Sequence, residues 1–228
     1  MSESVYFVFS LPPDEMGIEE FSRWYEGHVH DILRVDGFAA ARRFEPLTAV
    51  NGDTSPTMYA HLSLYVIDGP PHEAMARLAE ATRTGVVPIP DWFGRARFAS
   101  FYGSPLEGSI ELAKLDHAYL VFSTPPASMS DEDYIEWYWT HARENLTADG
   151  FDAVWRYRLE ADTTDPVAPC DAVHAALYEV HGELPALRAA LREAAAAGRV
   201  GFPEWFGDIK FASLDCVAAS APIVALAA

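Results

Sequence analysis

The side chains best suited to proton transfer in this sequence are histidines that share a predicted strand with a tyrosine. His174 and Tyr178 lie in the stretch DAVHAALYEV, and His61 and Tyr65 lie in the stretch TMYAHLSLYVI. Histidine can take up and return a proton near neutral pH because its unperturbed pKa is about 6.5. A tyrosine hydroxyl can donate a hydrogen bond to an oxyanion or an enolate. The pattern therefore predicts acid–base chemistry in which His174 moves the proton and Tyr178 stabilises the developing enolate.

A second pair of histidines follows a tryptophan by four residues, in WYEGH and in WYWTH. Residues four apart are neighbours on a helix, so His28 and His141 share the buried face of that tryptophan. One turn further on, the second half carries Asn145, which can orient His141, whereas the first half carries Ile32. His141 is therefore a further candidate catalytic residue. The alternative is structural, because a histidine on a core-facing helix or strand can also serve only to satisfy a buried hydrogen bond.

The candidates for substrate binding include an arginine on a predicted strand. Arg156, in FDAVWRYRL, is suited to hold a carboxylate through two parallel hydrogen bonds. The alternative is a surface arginine paired with one of the many acidic residues, since charged side chains are mostly exposed. The full set predicted to contact a substrate is Arg156, Asn145, Tyr119, Trp155, His61 and Tyr65.

These residues belong to a sequence that is written twice. The same spacing, 113 residues, separates Trp24 from Trp137 and Phe93 from Phe206, and the two copies align without a gap. A period of this length indicates a whole small domain that has been duplicated and fused, not a solenoid repeat. The sequence predicts two such units, residues 1–108 and residues 109–228.

Each unit is predicted to contain the elements strand, helix, strand, strand, helix and strand. The first strand ends at Pro-Pro, a helix with regularly spaced aromatic residues follows, and a glycine ends that helix. Such a unit is a ferredoxin-like split β-α-β motif, with helices on one face of its sheet. The other face needs a partner, which the second unit can supply. The predicted fold is α+β, with two tandem ferredoxin-like repeats forming a pseudo-dimeric, eight-stranded barrel and the helices outside.

Strand parity predicts which side chains face the barrel interior. We expect the polar side of the third strand, with its histidine and tyrosine, to line the interior and the apolar side to pack on the helices. Tyr59 and Ser63 of the first unit become Ala172 and Ala176 in the second. A substrate cavity is therefore predicted inside the barrel and larger in the second unit. The Trp-Phe-Gly loops are predicted to plug the barrel ends.

The composition narrows the classes of partner. Lys and Arg number 16 against 34 Asp and Glu, which gives a formal net charge of −18. Nucleic acids and anionic membranes attract clustered basic residues, so we expect neither as a partner. Cys170 and Cys216 are too few for a disulfide framework, and no metal-ligand spacing is present. The N-terminal stretch lacks the basic start of a signal peptide. We expect a cytoplasmic protein, with a homodimer as a further possibility.

The duplication, the order of elements and the motif Trp-Tyr-x-x-His followed by Gly-Phe resemble the dimeric α+β barrel superfamily. The sequence is most similar to its EthD-like members, which often carry an aromatic pair and a histidine on the first helix. The resemblance covers nearly the whole chain in two copies and implies the barrel fold. Members of the superfamily include cofactor-free monooxygenases of aromatic polyketides, muconolactone-type isomerases and haem proteins. We expect no cofactor and no metal here, because the tyrosine-rich lumen leaves little room for a macrocycle.

Three functions agree with these residues. The first is a cofactor-free isomerase that shifts a double bond, or interconverts cis and trans forms, in a small unsaturated or aromatic carboxylate. Ring-cleavage products of aromatic catabolism are substrates of that kind, by analogy with the muconolactone-type isomerases. The second is a cofactor-independent monooxygenase that deprotonates a phenolic or polyketide substrate and lets the carbanion meet O₂. The third is a barrel that binds a small molecule without converting it.

Overall fold

The two halves of the chain fold into the same order of elements, as the sequence predicts. The computed structural model describes residues 3–49, 59–163 and 172–225. The first half contains β1 (Glu3–Leu11), α1 (Ile18–Ile32), β2 (Phe38–Ala49), β3 (His61–Asp68), α2 (Pro71–Arg83) and β4 (Arg97–Glu107). The second half contains β5 (His117–Thr124), α3 (Asp131–Asn145), β6 (Phe151–Thr163), β7 (His174–Val180), α4 (Leu184–Ala196), β8 (Lys210–Ala218) and β9 (Ile223–Val224). Cys170 and the first two residues of the stretch TMYAHLSLYVI lie outside the described residues.

The limits of the helices follow local signals in the sequence. α3 begins after Ser130, whose Oγ accepts a hydrogen bond from the backbone N–H of Asp133 at 3.1 Å. α2 and α4 each have a proline in the first turn, where no backbone N–H is needed. Gly37 and Gly150 follow α1 and α3 with φ angles of +97° and +89°, which glycine adopts without steric cost. They turn the chain into β2 and β6.

Strands of both halves pair to close one antiparallel barrel, and this confirms the predicted fold. In the first half β1 lies between β3 and β4, and β3 also pairs with β2. The second half repeats this arrangement with β5, β7, β8 and β6. The halves join where β4 pairs with β6 and where β2 pairs with β8. Within the described ranges, eight strands make up the barrel and four α-helices cover its outside.

The C-terminal segment crosses from the second half to the first. β9 pairs with β2, where Ile223 lies opposite Ala41 and Val224 lies opposite Ala40. Ile223 packs against the core of the first half. The predicted boundary at residues 108 and 109 falls in the connection between β4 and β5, and it stays a prediction.

The interior of the barrel is an apolar core built from both halves. The apolar residues of β3 belong to it, in contact with aromatic and aliphatic residues such as Phe7, Phe101, Leu120, Phe122, Tyr157 and Leu177. The polar residues of β3 face the helices instead, where His61 stacks on Phe21 of α1. The prediction that the polar side of this strand lines the barrel interior is therefore wrong. The sealed interior favours apolar side chains, whereas the helices supply partners for polar ones.

Two further clusters fill the space between barrel and helices, one in each half. The Trp-Phe-Gly loops contribute to these clusters. Trp92 packs on Trp24 of α1 with ring centroids 4.6 Å apart, and Trp205 packs on Trp137 of α3 at 4.7 Å. The loops therefore close the space beside the helices, and the prediction that they plug the barrel ends is wrong.

Candidate functional site

Each half contains a cavity between the outer face of the sheet and its helices. The C-terminal cavity has a volume of about 150 Å³ and lies beside α3, α4, β5 and β8. The N-terminal cavity has a volume of about 460 Å³ and lies at the corresponding place beside α1, α2, β1 and β4. Strand parity predicts a cavity inside the barrel, with the larger one in the second half. Both parts of that prediction are wrong.

Two pairs of matched positions explain the difference in volume. Phe202 lines the C-terminal cavity where Ile89 lines the N-terminal one. Ile209 also lines the C-terminal cavity, at the position of Ala96 in the first half. The larger side chains narrow the C-terminal cavity. The exchange of Tyr59 for Ala172 has no influence on it, because both residues pack against the barrel interior.

The C-terminal cavity brings together four of the residues predicted from the sequence. Tyr119 comes from β5, His141 and Asn145 come from α3, and Tyr178 comes from β7. The other lining side chains are mostly aromatic or aliphatic. A small number of polar groups in an apolar hollow is typical of a small-molecule site.

Tyr178 has a protonated hydroxyl group that can donate a hydrogen bond to a ligand. The Asn145 Nδ2 group donates to the Tyr178 Oη atom at 3.1 Å. Burial raises the pKa of Tyr178 to about 12, although hydrogen bonds from Asn145 and Tyr138 oppose that shift. The hydroxyl is therefore protonated at neutral pH. Because its oxygen already accepts a hydrogen bond, its own proton is free to point at a ligand.

His141 is a neutral ring in the cavity wall, and it can accept a proton. Its ring stacks on Trp137, with centroids 4.8 Å apart, and it is only 6% exposed. Burial lowers the pKa of His141, so the ring is neutral at neutral pH. The Glu144 carboxylate opposes that shift, with its Oε2 atom 3.9 Å from Nδ1. A neutral base with an acidic group nearby can take a proton and then stabilise the resulting charge.

His174 is almost fully buried and has a carboxylate partner, contrary to the prediction of an open, unpaired ring. Its Nε2 atom lies 2.6 Å from an oxygen of Asp131, at the start of α3, and the Tyr134 ring covers it at 5.1 Å. Burial and the charges of Arg156 and Arg158 lower the pKa of His174 to about 4. His174 is 1% exposed, and it is not among the residues that line the cavity. The His174 imidazole therefore has neither an open face nor a ring without a partner, because helix α3 occupies the space beside it.

Arg156 and Trp155 also lie away from the cavity. Arg156 is 1% exposed, donates to the backbone oxygen of Ile135 at 3.1 Å and lies over the Tyr138 ring at 4.8 Å. It therefore anchors α3 to β6 and lies behind the aromatic wall. Trp155 packs in the barrel interior and donates from Nε1 to the backbone oxygen of Ser109 at 2.8 Å.

The first half buries the counterparts of these residues with other partners. His61 is 1% exposed and its Nδ1 atom lies 3.5 Å from Arg43, which also bonds the hydroxyl and the backbone oxygen of Ser22. Burial, followed by the charge of Arg43, lowers the pKa of His61 to about 4. Tyr65 is fully buried beside Tyr25 and Tyr6, and burial raises its pKa well above the usual value. Neither His61 nor Tyr65 lines the N-terminal cavity.

Sequence reasoning missed several residues of the C-terminal cavity. Tyr138 contacts both Tyr178 and Arg156, and the Trp-Tyr pair of the repeated motif is the signal that points to it. Tyr134 lies one turn before it. Phe202 and Ser213 come from a loop and from β8, and no spacing in the sequence relates them to His141.

The cavity beside His141 does not suit a haem group, which the resemblance would allow. Aromatic rings surround the imidazole, with Phe206 at 5.5 Å and Phe202 at 5.6 Å. The volume of about 150 Å³ holds one six-membered ring and not a macrocycle. In the part of the chain that the structure describes, no three His, Cys, Asp or Glu residues are grouped to hold a metal ion. Over the same ranges, no helix combines the length and the apolar character that crossing a membrane requires.

Comparisons with known proteins support the fold. No protein-family model matches the sequence, and no curated protein matches it. Among solved structures, an anthrone oxidase-like protein superposes with a TM-score of 0.60 at 14% identity, over 99% of this chain and 95% of its own. A chlorite dismutase-like protein gives a TM-score of 0.49 at 15% identity, over 97% and 96%. A monooxygenase-like protein from Lactobacillus acidophilus NCFM gives 0.47 at 10% identity, over 98% and 99%. At such identities the first likeness shows a common fold, the antiparallel eight-stranded barrel of dimeric α+β proteins.

Proposed function

We propose that the protein is a cofactor-independent oxygenase of a small phenol or enolisable aromatic ketone. The observation that carries this proposal is the meeting of His141, Asn145 and Tyr178 in one aromatic cavity. Its volume of about 150 Å³ is that of a cavity known to bind a benzene-sized ring. We also propose that the protein is EthD-like, on the Trp-Tyr-x-x-His motif of its helices.

The residues divide the first step between them. His141 removes a proton from the phenolic hydroxyl, or from the activated carbon beside the carbonyl, because it is neutral and buried at the cavity wall. Tyr178 donates a hydrogen bond to the oxyanion that results, and Asn145 holds Tyr178 in the orientation that this requires. Tyr119 lies on the sheet beside them and can contact the ring. His174 and Arg156 keep α3 in position from behind.

The second step uses O₂ as the oxidant and the substrate anion as the reductant. One electron passes from the anion to O₂, and the two radicals combine to form a carbon–oxygen bond, which gives a peroxide. Loss of water from the peroxide leaves a carbonyl group at the attacked carbon. Each turnover thus consumes one O₂, puts one oxygen atom into the product and releases the other as water with the two hydrogens of the substrate. The electrons come from the substrate, so this route needs no further reductant.

Two considerations favour oxygenation over the isomerisation of a carboxylate that the sequence also predicted. The isomerisation hypothesis relied on Arg156 to bind the carboxylate, and Arg156 lies behind Tyr138. The second consideration is the likeness in fold to an anthrone oxidase-like protein, which suggests the class of reaction only. Isomerisation of a carboxylate stays a prediction, without a residue in the described cavity that favours it.

The test is oxygen uptake by the purified protein with a panel of single-ring phenols, hydroquinones and enolisable aromatic ketones, corrected for autoxidation in buffer. We expect protein-dependent uptake, one O₂ for each carbonyl formed, and one labelled oxygen atom in the product under ¹⁸O₂. Conversion of a substrate without oxygen uptake would support the isomerase instead. Binding with no conversion of any substrate would support the non-catalytic barrel.

A further inference from the structure

The N-terminal cavity has the size of a ligand site in its own right. Its volume of about 460 Å³ falls in the range of roughly 300–1,000 Å³ that small-molecule sites occupy. It exceeds the C-terminal cavity, which has room for a single ring. The loop between α2 and β4 borders it with Ile89, which is 39% exposed. A ligand can therefore enter from solvent past one aliphatic side chain.

The walls of this cavity select for an uncharged aromatic ligand. Among its described lining residues none carries an acidic, lysine or arginine side chain, and the aromatic ones are Tyr6, Tyr25, Phe93 and Phe98. His28 is neutral at pH 7 because burial lowers its pKa to about 4. A formal net charge of −18 also disfavours anions. Aromatic walls of this kind bind flat, neutral rings well.

His28 gives the cavity a polar group for a ligand hydroxyl. It lies flat on Trp24, with ring centroids 4.7 Å apart, and its Nδ1 atom is buried without a hydrogen-bond partner in the described residues. A buried polar atom without a partner costs free energy, which a small turn of the ring toward a ligand hydroxyl would recover. Thr82 of α2 contributes a hydroxyl group to the lining.

The same cavity lacks the arrangement that the C-terminal half offers for catalysis. Ile32 stands where Asn145 bonds Tyr178 in the second half. Tyr65, the counterpart of Tyr178, is not among the residues that line the N-terminal cavity. No matched oxyanion donor therefore faces His28.

We propose that the N-terminal cavity is a second, non-catalytic binding site for an uncharged, hydroxylated aromatic molecule of at least two rings. The proposal concerns a different cavity from the proposed oxygenase site, and it is tested by binding without turnover.

The test is isothermal titration of the full chain with 2-naphthol and with its anionic relative 2-naphthoate at pH 7. We expect one 2-naphthol bound for each chain and at least tenfold weaker binding of 2-naphthoate. Ile89→Phe gives the N-terminal cavity the side chain that narrows the C-terminal one, and we expect at least tenfold weaker binding of 2-naphthol. Ala96→Ile, at the position of Ile209, narrows the same cavity independently.

The matched variant in the other half is Phe202→Ile combined with Ile209→Ala, which enlarges the C-terminal cavity. We expect it to keep the 2-naphthol site and to add a second one. Wild-type affinity in both Ile89→Phe and Ala96→Ile, with near-ultraviolet circular dichroism showing that they are folded, would overturn the proposal. Equal binding of 2-naphthoate would overturn the requirement for an uncharged ligand. Neither outcome depends on whether the protein consumes O₂.

Discussion

The two halves build the same cavity from the same motif and then differ at a few lining positions. Both place a Trp-Tyr-x-x-His helix over the sheet, with the histidine stacked flat on the tryptophan. In the second half Asn145 bonds Tyr178, and Phe202 narrows the space. In the first half Ile32 stands in place of Asn145, and Ile89 in place of Phe202 leaves a larger space. The comparison shows that both halves share the aromatic stack, whereas side chains one turn or one loop away decide the volume and the hydrogen bonds of each cavity.

The strand histidines show the same divergence on the buried side of the helices. His61 faces the cation Arg43, whereas His174 faces the anion Asp131. Both are almost fully buried, and both have a pKa lowered to about 4. The halves thus hold helix to sheet with equivalent histidines and partners of opposite charge.

The largest expected effect is on turnover. His141→Gln should lower the rate of oxygen uptake by about a hundred- to ten-thousand-fold, the usual range for removal of a general base. The loss should be at least tenfold greater than in the matched variant His28→Gln. Initial rates with the best substrate of the panel measure both. Equal losses in the two variants would remove the assignment of catalysis to the second half.

A smaller effect concerns the stability of the turns after α1 and α3. A Cβ atom at Gly150 would lie 2.5 Å from the Leu187 side chain and 2.7 Å from the backbone oxygen of His181. A Cβ atom at Gly37 would meet the Arg77 guanidinium at 2.7 Å, and that flexible side chain can move. Both positions have positive φ, which costs a non-glycine residue about 1–2 kcal/mol. We expect Gly150→Ala to lower the free energy of unfolding by about 2–5 kcal/mol and Gly37→Ala by about 1–2 kcal/mol.

Urea unfolding monitored by fluorescence compares the two glycine variants with wild type. A larger loss in Gly37→Ala than in Gly150→Ala would show that the first half is packed more tightly at this turn than the contacts indicate.

The smallest effect is a loss of stability in acid. His61 and His174 titrate at about pH 4 in the folded chain, whereas an unfolded histidine titrates at about 6.5. The unfolded state therefore binds protons first as the pH falls. The stability that each neutral ring contributes is complete above pH 6.5 and is lost as the pH falls toward 4. At pH 5.5 the loss for each histidine is about 1.4 kcal/mol relative to pH 7.5.

The measurement is urea unfolding of His61→Asn and His174→Asn at pH 7.5 and pH 5.5. Each variant should show a smaller decrease in stability than wild type between the two values. The control variant His72→Asn, at an exposed position, should show the same decrease in stability as wild type. If only His61→Asn reduces the decrease, the Asp131 carboxylate compensates for burial of His174, and the two histidines are not equivalent.

The fold could be predicted from the sequence because both halves carry the same pattern of strands and helices. The 113-residue spacing and the order of elements indicate two units of the same fold. Each sheet has helices on one face only, so its other face must pack against the sheet of the other unit. Parity also separated the side chains from His61 to Ile67 correctly into two sets, but it grouped Tyr59 with His61, whereas Tyr59 packs in the barrel interior. It could not tell which set faces inward, because every residue from His61 to Ile67 is buried. Alternation identifies the solvent side only when one face of a sheet meets water.

The candidate site was predicted in part. His141, Asn145, Tyr178 and Tyr119 meet in one cavity, and the helix motif was enough to select His141 and Asn145. Strand parity placed Tyr178 inside the barrel, whereas its side chain lies between the sheet and the helices. The partner of His174 could not be predicted, because Asp131 is distant in sequence and no repeat supports it, since Ile18 is its counterpart. The cavity volumes depend on Phe202 and Ile209, which come from a loop, and loop packing leaves no periodic signal.

The pairing of β2 with β8 and β9 determines when the protein can finish folding as it is synthesised. Phe44 pairs with Leu62 on one side and with Ala218 on the other, so the first half emerges from the ribosome with that second edge of β2 open until Ala218 has been made. Contacts that span so much sequence form slowly. An open edge exposed for that time can pair with another nascent chain. The N-terminal half should therefore be the part of the protein that most needs chaperone protection during translation.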